Sequence, residues 1–314
     1  MDVLAMSAKE NSVDRVFVAG DLGHTDRWSA QLCSIIETGL LQLTQASISV
    51  YIMGGNHDED KYGNWTISLL GHIKGVTTIT APLADKHFAY FPYCRNIVSV
   101  IEDVTDSKVF SDKQVAFFHH GFIGGTVGGE DWVLKGSVSS KRVRRAISPR
   151  YILSGHYHKP QLFKRDSLYI GSPRQHTFGE EGESKRFVIY DTGKANMTFV
   201  PTTQYFAEHK TLHMKAPEDI PVWGQGATTI QPIPIYRVMV EKKEWLPKVT
   251  KTWRDYKGRW SVVCNEAGIA YGGKPRSELR ATDSAKQQVK KYAALKGKPD
   301  YADTGLSLVE KAGK

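Results

Sequence analysis

The chain has 314 residues and a formal net charge of +9 at pH 7, with 40% hydrophobic and 11% aromatic residues. That length holds one large domain, or one of about 200 residues with a smaller companion, and the apolar content excludes wholesale disorder. No run of eighteen or so apolar residues occurs and the N-terminus lacks a basic segment followed by an apolar one, so neither a membrane span nor a signal peptide is read.

Short apolar runs alternate with amphipathic stretches over the first 200 residues, the pattern of a layered α/β domain. Strands are expected at Val16–Ala19, Ile48–Met53, His87–Pro92, Val115–Phe118, Tyr151–Ser154, Ser167–Ile170 and Arg186–Tyr190. A helix is expected over Arg27–Gln42, with Leu32, Ile35, Ile36, Leu40 and Leu41 at helical spacing. Beyond Asp191 the pattern changes. Met197–Val200, Tyr236–Val240 and Trp260–Val263 read as strands, and Pro217–Pro234 as a Pro/Gly/Thr-rich connection. Ser284–Leu295 and Ala302–Ala312 read as two short polar helices. The domain boundary is expected near residues 192–215.

Cys33, Cys94 and Cys264 are widely spaced and form no CxxC pair, which argues for a reducing, cytoplasmic setting rather than a disulfide framework or zinc ribbon. Charge is unevenly placed. Residues 201–314 carry 20 Lys+Arg against 12 Asp+Glu, leaving the first 200 nearly neutral, so the back half is the part suited to a polyanion. Within it, Lys242, Lys243, Trp245, Lys251, Trp253, Arg254, Lys257 and Arg259 interleave cations with aromatics, as phosphate contact plus base stacking requires. Tryptophans filling a small core, with the lysines facing water, are the competing explanation. A second basic run, Lys141, Arg142, Arg144, Arg145 and Arg150, reads first as a solvated helix face and second as a DNA-backbone contact.

Four strand ends carry the same kind of chemistry. They are Gly20-Asp21-Leu22-Gly23-His24, Gly55-Asn56-His57-Asp58-Glu59, Phe118-His119-His120 and Gly155-His156-Tyr157-His158. Carboxylate, amide oxygen and imidazole suit Mn²⁺, Fe²⁺ or Zn²⁺, and ligands gather at the carboxyl ends of strands in open α/β sheets. The Gly-rich run Gly121–Gly129 lacks the GK[ST] ending of a P-loop and reads as a loop beside the site.

These motifs resemble those of calcineurin-like metallophosphoesterases, and within them the Mre11/SbcD DNA nucleases, including phage recombination nuclease subunits. The stretch from Gly171-Ser172 through Phe178-Gly179-Glu180 to Lys185-Arg186-Phe187 is similar to a block that follows the last metal motif in that branch. The resemblance implies a metallophosphoesterase β-sandwich flanked by helices over 1–195, a smaller α+β accessory or DNA-capping domain over 196–275, and a helical, partner-binding tail over 276–314. It implies Mn²⁺ as cofactor, with Asp21 bridging two ions, Asn56, His119 and His156 completing one site, and His158 serving the other. His120 stays open as the alternative to His119. It further implies His57 as the catalytic histidine, oriented by Asp58, and hydrolysis of DNA phosphodiesters by a metal-activated water in repair or recombination. An SbcC/Rad50-like ATPase and a second copy of the chain are the implied partners, and a bacterial cell or phage-infected host the implied setting. Small phosphodiesters or phosphoproteins are the alternative substrates, and a DNA-binding subunit without turnover the alternative role.

One departure stands out. No Asp-x-His precedes Asp21, so the resemblance leaves only Asp21 and His158 for the second metal. The expectation is that the first strand is missing from the sequence as given, with a one-metal enzyme or a binding subunit as alternatives.

Overall fold

The structure is a computed structural model, and it describes residues 2–127, 132–133, 138–214, 232–254 and 258–264. In chain order the elements are α1 (Asp2–Glu10), β1 (Arg15–Val18), α2 (Ala30–Gln45), β2 (Ser49–Met53), β3 (Val76–Ile79), β4 (Leu83–Ala84), β5 (Phe88–Phe91), α3 (Ile97–Asp103) and β6 (Val115–Phe118). There follow β7 (Thr126–Val127), β8 (Trp132–Val133), α4 (Ser140–Ile147), β9 (Tyr151–Ser154), β10 (Gln161–Lys164), β11 (Ser167–Tyr169), β12 (Arg186–Asp191) and β13 (Asn196–Pro201). The remainder holds β14 (His209–Met214), β15 (Ile235–Val240), α5 (Leu246–Trp253) and β16 (Trp260–Cys264). The expected helices at 284–295 and 302–312, and residues 217–231 of the expected connection, lie outside the described residues.

Two sheets organise the first compact unit, which runs through Leu212 and takes in 232–237 and 258–261. One has the order β1-β2-β3, all parallel. The other has the order β10-β11-β9-β6-β5-β4, parallel from β11 to β5 and antiparallel at both edges. Period-two alternation divides each strand between two faces. Phe17, Tyr51, Met53 and Ile79 of the first sheet pack with Tyr90, Val115, Phe117 and Leu153 of the second. Phe17 sits 4.2 Å from Phe117 and 5.2 Å from Tyr90, centroid to centroid. The opposite faces are covered by helices. Val16, Val50 and Ile52 meet Ala5 and Ala8 of α1 and Ile36, Leu40 and Leu43 of α2. Phe91, Phe118 and Ile152 meet Ile97 and Ile101 of α3 and Val143, Ala146 and Ile147 of α4.

Helix α2 begins where Ser29 accepts a hydrogen bond from the Leu32 N–H, three residues later than the sequence pattern placed it. Its inward face is Ile36, Leu40 and Leu43, at i, i+4 and i+7, which turns Ile35 and Leu41 to solvent. In α4 the basic run is partly consumed by the fold. Arg144 donates to the carbonyls of Pro149, Arg165 and Asp166 and to Ser167 Oγ, and Arg142 pairs with Glu102 at 3.0 Å.

A second compact unit holds 238–254 among its described residues. There Trp253 and Val249 of α5 are fully buried, as are Val238 and Val240 of β15. A side chain with no exposed surface cannot stack on a base, so the expectation for Trp253 is corrected. It faces inward because it lies four residues after Val249, on the same helical face. Lys242, Lys243, Lys251 and Arg254 of this unit are exposed and Trp245 is half-buried, with Lys242 Nζ 5.7 Å from its ring. Arg259, in the first unit, is exposed, and Lys257 lies outside the described residues. Among the described residues no helix is long and apolar enough to cross a membrane.

Candidate active site

The four chemistry-bearing segments follow β1, β2, β6 and β9. Because β1 and β2 run parallel in register, as do β6 and β9, the segments emerge at corresponding strand ends. Tight turns then bring the side chains back over those ends. Gly20 has φ +91°, and a Cβ there would collide with the His119 ring. Asp21 (φ +53°) and His156 (φ +74°) are themselves left-handed, a conformation that non-glycine residues hold only when their surroundings enforce it.

Asp58 enforces part of it. This fully buried carboxylate accepts from the backbone N–H groups of Asp21 (2.8 Å), Gly55 (2.9 Å) and Gly23 (3.4 Å), clasping the first two segments together. Burial raises its pKa, and the neighbouring Asp21 charge adds to that against the backbone donors. Asp58 thus acts on the loop backbones. The adjacent His57 is exposed, its N–H bonded to Asp21 Oδ1 at 2.9 Å and its ring stacked 5.5 Å from His24.

Asp21, His119 and His156 present ligand atoms that all lie within 4.8 Å of one another. The Nδ1–H of His119 donates to the Ala19 carbonyl (2.6 Å), so in the neutral ring Nε2 carries a lone pair. That nitrogen lies 3.2 Å from Asp21 Oδ2 and 3.2 Å from Asn56 Oδ1. Asn56 Oδ1 also lies 2.9 Å from His156 Nδ1. Burial and the neighbouring His119 push His156 down to about 4, so it is neutral at pH 7. Burial would raise Asp21, but the adjacent His119 ring and the bond from the His57 N–H prevail and hold it below the usual carboxylate range. A carboxylate oxygen, an amide oxygen and two imidazole rings therefore converge. Such a set suits a divalent cation, which fits the oxygen and nitrogen donors that Mn²⁺, Fe²⁺ and Zn²⁺ accept.

The two other histidines go elsewhere. His120 is buried with Nε2 3.2 Å from the Pro92 carbonyl and 3.3 Å from the Cys94 N–H, and its ring stacks on Tyr93. Burial lowers its pKa to about 4. His119 is thus the member of the pair that joins the cluster. His158 stands outside it, half-exposed, with its ring bonded to Glu180.

A family model of calcineurin-like phosphoesterases matches residues 1–160, half of the chain, and so spans all four segments. The chain belongs to the calcineurin-like phosphoesterases. Comparison with curated proteins finds no match. Membership makes this a metal-dependent phosphoester hydrolase domain. Asp21, His119 and His156 are a cluster that could hold an ion, with Asn56 Oδ1 beside the two histidines. Sequence reasoning assigned no roles to His24, Glu180 or Lys185. All three lie inside the recognised motifs, and a carboxylate and a lysine five residues apart in a Gly-rich stretch were the available signal.

Proposed function

We propose that the chain is a Mn²⁺-dependent DNA phosphodiesterase of the Mre11/SbcD type, acting as exonuclease and endonuclease in repair or recombination. The observation that carries this reading is the convergence of Asp21, Asn56, His119 and His156 beside an exposed His57. A bound divalent ion would supply Lewis acidity toward water and the phosphate oxygens. The chain's own residues supply the rest. Asp21 and Asn56 offer oxygens, while His119 and His156 offer imidazole nitrogens, their rings oriented by bonds to the Ala19 carbonyl and to Asn56 Oδ1. His57, anchored through its N–H to Asp21, presents an exposed imidazole as the general acid for a leaving oxygen.

The DNA part of the reading is supported by charge. The net +8 of residues 201–314 and the exposed Lys242, Lys243, Lys251, Arg254 and Arg259 favour a polyanion over a small diester. Residues 196–275 are proposed as an accessory DNA-capping region, and 276–314 as the tail that grips an SbcC/Rad50-like ATPase. The second metal position, left with Asp21 and His158, is proposed to be incomplete in this sequence.

The experiment compares Mn²⁺-dependent hydrolysis of duplex DNA with that of an aryl phosphodiester, for wild type and His57→Ala. The expected result is DNA cleavage that His57→Ala lowers about 10²–10⁴-fold with Mn²⁺ affinity unchanged. Turnover of the aryl diester alone would move the substrate to small phosphodiesters or phosphoproteins. Salt-sensitive DNA binding without cleavage would make the chain a binding subunit.

A further inference from the structure

The block from Gly171 to Lys185 follows the last converging ligand in the chain, and Ser172, Glu180 and Lys185 within it close on one residue, His158. Gly171 is left-handed at φ +79°, and a Cβ there would collide with the Pro160 ring, so only glycine lets the segment lie against 158–160. Next to it the Ser172 N–H donates to the His158 carbonyl at 3.0 Å. Lys185, 3% exposed, donates to that same carbonyl at 2.8 Å, to Glu183 Oε2 at 2.8 Å and to Glu180 Oε2 at 2.9 Å. All three ammonium protons are thereby used. Glu180 Oε2 also accepts from the His176 N–H at 3.1 Å, and its Oε1 lies 2.9 Å from His158 Nδ1.

The protonation of that last bond follows from the cradle. The Lys185 ammonium and the His176 N–H both donate to Glu180 Oε2, so Glu180 is an ion-paired carboxylate that can only accept. The proton in the bond therefore resides on His158 Nδ1. A neutral ring with its proton on Nδ1 has its lone pair on Nε2, the nitrogen left facing away from Glu180.

We propose that Glu180, locked in place by Lys185, is a positioning residue that holds His158 as the Nδ1–H tautomer and so dedicates its Nε2 lone pair to a divalent cation. The proposal rests on the metal-dependent hydrolase reading. The arrangement is a carboxylate–histidine pair of the kind that fixes ring orientation and raises ligand basicity. It also accounts for the Gly171–Lys185 block, because Ser172, Glu180 and Lys185 each touch either the ring or the carbonyl of His158.

The test begins without metal. The full chain is labelled with ¹⁵N-histidine, stripped of divalent ions and studied by long-range ¹H–¹⁵N correlation at about pH 8, above the unperturbed pKa of imidazole. His158 is assigned by its loss in His158→Gln. The expected result is Nδ1–H in wild type and in Glu180→Gln, which keeps an acceptor oxygen, and Nε2–H in Glu180→Ala. In Glu180→Ala, Lys185 keeps Glu183 and the His158 carbonyl, so the fold retains its clasp. Calorimetry with Mn²⁺ should then show affinity reduced about 10–100-fold in Glu180→Ala and less in Glu180→Gln. An Nε2–H wild type, an unchanged tautomer in Glu180→Ala, or equal Mn²⁺ affinity in both would overturn the role of Glu180. Absence of Mn²⁺ binding by wild type, with the tautomer pattern as expected, would instead sink the hydrolase reading and with it the use assigned to the lone pair.

Discussion

His57 and Asp58 are neighbours in one motif with opposite environments, and this separates their expected phenotypes. Asp58 has no exposed surface and accepts three backbone N–H groups from two loops. Truncation to Ala leaves buried donors without an acceptor, at about 1–3 kcal/mol each where water cannot enter. Asp58→Ala should therefore lower stability by about 3 kcal/mol or more and weaken Mn²⁺ binding in parallel, because Asp21 and Asn56 lose their anchor. Exposed His57 carries no such load, so His57→Ala should leave the melting temperature within about 1 °C of wild type, as surface changes usually do. Thermal unfolding of the two variants side by side checks this, and equal destabilisation would be the contrary result. Gly20→Ala makes a related point. A Cβ at φ +91° runs into His119, so that ring must leave the ligand cluster, and Mn²⁺ affinity should fall at least tenfold while DNA or diester binding at a distance is spared.

At the scale of elements, the two sheets are joined by aromatic packing and by an ion pair, and each half of that joint can be tested. Phe117, 8% exposed, stacks on Tyr90 and packs at a tilt against Phe17 and Phe88, so Phe117→Ala should cost about 3–5 kcal/mol in urea unfolding. Arg15 of β1 reaches Asp85 after β4 at 2.6 Å, and Asp85 also accepts from the His87 and Phe88 N–H groups and from the Tyr90 hydroxyl. Burial would raise the Asp85 pKa, but these donors prevail and hold it below the usual value of 3.8. A carboxyl depressed in the folded state contributes stability that is present above its unfolded pKa and lost as pH falls through the folded one. Stability should thus decline below about pH 4, and Asp85→Asn should flatten that decline while costing about 2 kcal/mol at pH 7. Denaturant midpoints between about pH 2 and 7 measure both.

The same elements show what the sequence made legible. Strands β5, β6 and β9 are buried on both faces and read as unbroken apolar runs, so their bounds follow from the sequence almost to the residue. Strand β3, Val76-Thr77-Thr78-Ile79, and β10, with Leu162 exposed, carry too little apolar signal for a periodicity argument, and both were missed. The residues that converge at the candidate site follow closely on β1, β2, β6 and β9, strands that the apolar runs had marked. What was not legible is which of two adjacent histidines turns inward, since that depends on the last pleat of β6, and which tryptophan faces inward, since Trp245 and Trp253 stand in equally basic contexts. Trp253 is core because it shares a helical face with Val249, a contact that sequence allows but does not demand.

For the whole molecule, the decisive feature is that the ligands come from different sheets. Asp21 and Asn56 follow β1 and β2 of one sheet, and His119 and His156 follow β6 and β9 of the other. A cation held by all four would cross-link the layers, so its binding energy should appear in global unfolding of the first unit rather than in local fraying. A ligand that binds only the folded state, at 100 times its dissociation constant, adds about 2.7 kcal/mol. For a unit of about 200 residues that is a rise of about 5–10 °C in melting temperature, reversed by a chelator. His119→Ala and His156→Ala should abolish the rise, since each removes a nitrogen whose orientation the surrounding bonds have fixed. His57→Ala should keep it in full. Were His120→Ala to abolish the shift and His119→Ala to retain it, the ligand on β6 would be reassigned. The fit of the site to a metal would survive and the geometry of the strand end would not.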